Sequence, residues 1–174
     1  MDVDGTLTDG TLTVLPDGEE LKSYHVKDGM GILMAHLMGI KAGIITGKTS
    51  KALEKRAFRL YISELHQGVF NKTRALEEIC NKHHLDFEEI AYIGDDLGDL
   101  PVIQAVGLSA AVSDAHPEVK KHSHITCSSS GGRGAVREFI EIILESQGYT
   151  WDIIEKKFLS LETKKGPRDS GEKT

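Results

Sequence analysis

Short apolar runs alternate along this chain with amphipathic stretches of helical period, and most of the runs end in a polar or glycine-bearing turn. Ile40 to Thr46, Leu60 to Ser63, Ile90 to Gly94, Leu108 to Val112 and His124 to Thr126 read as strands. Between and around them, Asp28 to Met38, Lys48 to Leu60, Thr73 to His83, Leu97 to Val106 and Gly134 to Ser146 read as helices. Gly39 supplies a helix stop, and Pro101 falls early in its helix, where proline costs least. Val136, Phe139, Ile140, Ile143 and Leu144 recur at helical spacing. Strands alternating with helices close into a parallel sheet covered by crossover helices. The expected fold is therefore α/β, a doubly wound parallel sheet with its site outside the carboxyl ends of the strands.

The polar residues that carry chemistry fall at those ends. In Asp2-Val3-Asp4-Gly5-Thr6 two carboxylates sit two residues apart, so both face one way if Val3 faces the sheet. Gly5 lets the backbone turn away from the strand. Such a pair offers a nucleophile, a second acid for proton transfer, and oxygens for a divalent cation. Thr46-Gly47 follows an apolar run and precedes a helix, which suits a phosphate and also allows Thr46 to serve as a helix cap. Lys72 opens another helical run. Gly94-Asp95-Asp96 ends a strand, with Asp99 one helical turn later, and hard carboxylate oxygens grouped this way suit Mg2+. The eight histidines are scattered, with no convincing metal spacing.

This ordered set, from Met1 to about Trp151, resembles the haloacid dehalogenase (HAD) superfamily of phosphohydrolases. Three stretches further resemble the 3-deoxy-D-manno-octulosonate 8-phosphate (KDO 8-phosphate) phosphatases. They are Val26-Lys27-Asp28-Gly29-Met30-Gly31, Ala91-Tyr92-Ile93-Gly94-Asp95-Asp96 and Gly131-Gly132-Arg133-Gly134-Ala135-Val136-Arg137-Glu138. Phosphatases for nine-carbon sugar acids share these stretches. The resemblance implies that Asp2 is the nucleophile of an aspartyl-phosphate intermediate and Asp4 the general acid and base. Thr46 and Lys72 would hold the phosphoryl oxygens. Magnesium would lie on Asp2, the backbone carbonyl of Asp4 and chiefly Asp95, with Asp96 and Asp99 as supporting acids. Gly47, Lys48, Arg56 and Arg133 are candidate substrate contacts, the cations meeting a carboxylate; for Lys48 and Arg56 a solvated helix face is the rival reading. The HAD-like, Rossmannoid resemblance also implies a single domain over residues 1–160, with no cap domain.

Residues 10–28 read as a β-hairpin insertion, from Thr11 to Leu15 and from Glu19 to Val26 about the turn Pro16-Asp17-Gly18. A hairpin alone is marginal in water. The resemblance implies a homotetramer in which hairpins pair, with Leu12, Val14 and Leu21 near the interface. A monomer with the hairpin packed on its own core is the alternative. A formal net charge of −6 gives no support to a nucleic-acid role. Cys80 and Cys127 suit a reducing compartment, no apolar run is long enough for a bilayer, and no signal peptide precedes the first motif, so the expected location is cytoplasmic. Residues 161–174 are polar, with Gly and Pro, and are expected to form a mobile tail.

Three departures from the family pattern carry expectations. Only Met1 stands before Asp2, where family members carry the apolar central strand; this predicts open strand edges and an Asp2 beside a mobile terminus. Asn71 stands where an Asp commonly precedes the motif lysine, and Gly98 weakens its helix start. A magnesium-dependent phosphatase therefore competes with a non-catalytic oligomerisation module of the type fused to sialic-acid cytidylyltransferases. The short first strand favours the module, and the full set of acids and Lys72 disfavours it. A phosphorelay receiver, with acids in another order, ranks third.

Overall fold

The computed structural model describes residues 1–162 of the chain. Two antiparallel two-residue strands, β1 (Thr13–Val14) and β2 (Glu20–Leu21), form the hairpin. The remainder alternates as expected: α1 (Val26–Leu37), β3 (Gly43–Ile45), α2 (Lys51–Arg59), β4 (Glu64–His66), α3 (Lys72–His83) and β5 (Ala91–Gly94). Then come α4 (Leu100–Ile103), β6 (Leu108–Ala111), α5 (Pro117–His122), β7 (Ile125–Thr126), α6 (Ala135–Ser146) and α7 (Trp151–Glu162).

The sheet consists of two parallel blocks, β3 with β4 and β5 with β6 and β7. Met1 and Asp2 join them. The Met1 nitrogen donates to Gly43 O (3.0 Å) and Ile45 N donates to Met1 O (3.1 Å), the parallel ladder pattern, while Asp2 N donates to Ile93 O (3.1 Å). The spatial order is thus β4, β3, the Met1–Asp2 segment, β5, β6, β7. The expected gap is filled, and Asp2 is only 5% exposed rather than loose at an open edge. Its own backbone hydrogen bond holds it there, and Val3 beside it is fully buried in the core. Helix α1 packs on α6 and α7, and α4 packs on α3 and α5, the helical layers that enclose the core. No separate folded domain interrupts the described residues.

Several boundaries differ from expectation, each for a local reason. The strand expected at Leu60 to Ser63 is instead the turn that closes α2: Tyr61 adopts φ 56° and Ile62 N donates back to Ala57 O (3.1 Å). Chain pairing resumes at Glu64, opposite Gly43. Helix α2 starts at Lys51, where the Ser50 hydroxyl accepts from Leu53 N (3.3 Å), so Ser50 and not Thr46 is its cap. Helix α4 is shorter than Leu97 to Val106, because Asp96 to Asp99 form a turn (Asp99 N to Asp96 O, 2.8 Å) before it begins. Helix α1 starts two residues early, at Val26. Asn71 caps α3 by accepting from Arg74 N (3.1 Å), so the substitution noted there keeps its local job.

At the sheet edge the buried Glu64 accepts from His83 (2.7 Å), Lys82 (2.8 Å) and His66 (3.2 Å), tying the end of α3 to β4. Burial works to raise that carboxyl, but the three donors outweigh it and hold the group down at about 2. No described helix is long and apolar enough to cross a membrane. Helix α7 runs on to Glu162, past the expected domain end at 160; the rest of the expected tail, 163–174, lies outside the described residues.

Candidate active site

The carboxyl ends of the central strands gather three acids. One carboxylate oxygen from each of Asp2, Asp95 and Asp99 lies within 4.8 Å of the others. Lys72, at the first turn of α3, donates to both Asp2 Oδ1 (2.6 Å) and Asp99 Oδ1 (2.7 Å). Asp99, expected as a supporting acid, sits at the base of the site and is 2% exposed. Its Oδ1 also accepts from the Tyr92 hydroxyl (2.7 Å), and its Oδ2 accepts from Asp95 N (3.0 Å) and Asp96 N (3.3 Å). Those two backbone bonds shape the turn that presents Asp95. Asp95 Oδ1 in turn accepts from the Thr6 hydroxyl (2.9 Å), which ties the first motif to the last.

Electrostatics follow from the crowding. Burial, then the neighbouring Asp99 charge, raises the Asp2 carboxyl, with Lys72 acting against both. Asp95 is pushed up to about 7 by burial and then by Asp2. Burial lowers the Lys72 ammonium, but Asp2 and Asp99 together more than restore it. Like charges this close ask for a cation beyond the one lysine, and all-oxygen donors suit magnesium rather than a softer metal. The backbone leaves room for Asp95 to take part: at Gly5 (φ 101°) a Cβ would lie 2.0 Å from Asp95 Oδ2. The donor set fits a hard divalent ion held by Asp2 and Asp95.

Other expected site residues are placed differently. Asp96 is exposed and caps its own turn by accepting from Leu97 N (2.8 Å), so its carboxylate is not brought into the cluster. The Asp4 carboxylate also stands outside the three-acid group and is ion-paired with Lys22 of the hairpin. Thr46 is buried at the end of β3, its hydroxyl accepting from Lys48 N (3.4 Å), and Gly47 follows it beside the Val69 carbonyl. Lys48 pairs with Glu20 across the rim (3.2 Å). Arg56 packs over the Tyr24 ring (5.8 Å), at the base of the hairpin. Arg133 is 67% exposed and meets Asp9 (3.2 Å) at the outer edge.

Thr6 and Tyr92, which the motif stretches contain without an assigned role, and Lys22, which lies in none of them, act through contacts across 89, 7 and 18 residues. Asp28 likewise stands in a motif stretch with no assigned role. Asp28 is buried and accepts from Gly134 N (3.2 Å) and Arg137 N (2.9 Å), so it serves α6 as a cap supplied by α1. That contact seats the Gly131 to Gly134 loop, whose Gly132 N donates to Thr6 O (2.9 Å) against the first motif.

Residues 45–140 match the model of the haloacid dehalogenase-like hydrolases. The chain is 45% identical over 148 residues to the 3-deoxy-D-manno-octulosonate 8-phosphate phosphatase KdsC of Escherichia coli, covering 85% of this chain and 79% of that protein. It is similar to the Moraxella catarrhalis 3-deoxy-D-manno-octulosonate 8-phosphate phosphatase, whose crystal structure is a complex with magnesium ion, phosphate ion and KDO. There the TM-score is 0.85 at 35% identity, covering 93% of this chain and 90% of that one. The cobalt-bound deoxy-D-mannose-octulosonate 8-phosphate phosphatase of Haemophilus influenzae gives a TM-score of 0.85 at 39% identity, covering 91% and 93%. With the acid cluster, Lys72 and the sheet order already in place, these likenesses settle the kinship: the chain belongs to the haloacid dehalogenase-like hydrolases, in the family of the 3-deoxy-D-manno-octulosonate 8-phosphate phosphatases.

Proposed function

We propose that this chain is a magnesium-dependent phosphomonoesterase that removes phosphate from KDO 8-phosphate through an aspartyl-phosphate on Asp2. The observation that carries the reading is the meeting of Asp2, Asp95 and Asp99 oxygens within 4.8 Å, with Lys72 on Asp2, in a chain 45% identical to such phosphatases. Asp2 attacks phosphorus while the bond to the sugar oxygen breaks. Asp4 gives its proton to the departing alkoxide, then takes one from the water that attacks phosphorus and frees Asp2. Lys72 neutralises charge between the nucleophile and the equatorial phosphoryl oxygens, and Thr46 with the Gly47 backbone supports those oxygens. A magnesium ion on Asp2, Asp95 and the Asp4 carbonyl would supply charge neutralisation for the approach of one anion to another. Asp99 keeps Lys72 and the Asp95 turn in place. Lys48 and Arg133 stand at the rim as contacts for the sugar-acid carboxylate.

The test is phosphate release across sugar-acid phosphates with magnesium present and then removed. KDO 8-phosphate is expected to be turned over faster than nine-carbon sugar-acid phosphates, and a chelator is expected to abolish release until magnesium is restored. Turnover that survives exhaustive chelation overturns the magnesium requirement, and no turnover on any sugar-acid phosphate overturns the whole reading and favours the oligomerisation module.

We also propose that the hairpin assembles the protein into a homotetramer. Val14 and Leu21, on two-residue strands that cannot be stable alone, and Leu12 just before the first of them expose 61%, 49% and 47% of their surface. Sedimentation of the wild type as a tetramer, and of Val14→Asp as a smaller species, is expected. A wild type that stays monomeric at micromolar concentration sinks the proposal.

A further inference from the structure

Along β2 and the segment that follows it toward His25, the alternate residues Glu20, Lys22 and Tyr24 each contact the body of the protein. Leu21 and Ser23 between them are exposed. Glu20 reaches Lys48 (3.2 Å), Lys22 reaches Asp4, and the Tyr24 ring lies under Arg56 (5.8 Å). The hairpin is therefore fastened at three points along the site rim. The middle one differs from the others. The Lys22 side chain is only 3% exposed, while Glu20 and Lys48 expose 37% and 41% of theirs. A buried ammonium is costly unless paired, so this contact is held by burial as well as by charge. It is also the one hydrogen bond made to the Asp4 carboxylate among the described residues, and it goes to Oδ1 alone.

We propose that Lys22 is a positioning residue: through this one ammonium the hairpin holds the Asp4 carboxyl so that its second oxygen faces the leaving group. The inference rests on the reading of Asp4 as the acid and base. The logic is geometric. Lys22 donates to Oδ1, which leaves Oδ2 able to carry a proton or accept one. Without the ammonium, an Asp side chain at the site mouth is free to rotate away, and misplacement of a catalytic group by about 1 Å costs up to roughly 10²-fold in rate. The loss appears only where proton delivery matters. Departure of the sugar alkoxide needs a proton, whereas p-nitrophenolate leaves without one.

The experiment compares kcat/KM, which reports steps up to departure of the leaving group, on KDO 8-phosphate and on p-nitrophenyl phosphate. Lys22→Met, which keeps the apolar stem, is expected to lose about 10- to 100-fold on the sugar phosphate and less than about 3-fold on the aryl phosphate. Lys22→Arg, which keeps a cation, is expected to recover much of the loss. Retained aryl phosphatase activity shows that the variant is folded. Equal losses on both substrates, no loss on either, or an Arg variant as poor as Met would overturn the assignment. Asp4→Asn is the reference. If it shows the same split and Lys22→Met does not, the acid–base reading stands and the role of Lys22 falls; if it shows no split, the acid–base reading itself fails.

Discussion

Phosphate release from KDO 8-phosphate is expected to fall by about 10³-fold or more when Asp2 is replaced by Asn, with the fold retained. The amide matches the carboxylate in shape and can still accept from Lys72, now 2.6 Å away, while Asp99 continues to hold the same ammonium. What the amide lacks is an anionic oxygen able to attack phosphorus. Removing one charge from a buried group of three acids also relieves repulsion, so metal-free Asp2→Asn should melt no lower than metal-free wild type. An acid-quenched reaction gives the complementary readout. Labelled phosphate should remain covalently bound to wild type and be missing from the variant. Activity within tenfold of wild type would place the nucleophile elsewhere.

The second large effect comes from a residue with no chemistry of its own. A Cβ built on Gly131 would lie 1.7 Å from the carbonyl oxygen of Gly5 and 3.1 Å from that of Thr8, so Gly131→Ala forces two backbone segments apart. Neither can yield cheaply. Gly131 N donates to Asp114 (3.0 Å), Gly132 N donates to Thr6 O (2.9 Å), and Gly5 fills the space beside Asp95. The expected cost is about 3 kcal/mol or more, a fall in Tm of roughly 6–12 °C, together with a large loss of kcat as the loop carrying Asp4 shifts. Gly39→Ala is the control. Gly39 has φ 83° but no atom near its would-be Cβ, so the dihedral alone should cost about 1–2 kcal/mol and leave activity intact. Similar melting points for the two variants would mean that the Gly131 contact is looser than the geometry indicates.

How much of this could be read from the chain depends on the range of the interaction involved. The alternation of strands and helices was legible because it is local: apolar period and turn residues act within a few positions, and the strands at Ala91–Gly94 and Leu108–Ala111 follow from them. The strand expected at Leu60 to Ser63 was misplaced because helix α2 carries its closing hydrogen bonds one turn further, into Ile62. Asp2, Lys72 and Asp95 could be singled out because each follows a strand or opens a helix at the same sheet edge, and all three meet there. Asp95 was ranked above Asp96 by the family resemblance alone, since two adjacent acids on one turn are equivalent by spacing. Only the turn built by Asp99 decides which carboxylate faces inward. For Arg56 the place after Thr46-Gly47 left a substrate contact and a solvated helix face open, and its packing over the Tyr24 ring is a contact that position in the chain does not reveal.

What the residues alone determined was the order of short parallel strands and the set of acids and one lysine that arrive at their carboxyl ends, since both follow from periodicity and turn chemistry acting over a few residues. What only the tertiary structure decided was which of those groups touch. Met1 and Asp2 close the gap between two sheet blocks, Asp99 becomes the brace of the cluster, Lys22 arrives on Asp4, and Gly131 packs on Gly5. Each of these contacts joins segments through packing and charge in three dimensions, and at most of them burial makes an unpaired or displaced group costly. That cost depends on the folded surroundings, which no short stretch of the chain contains.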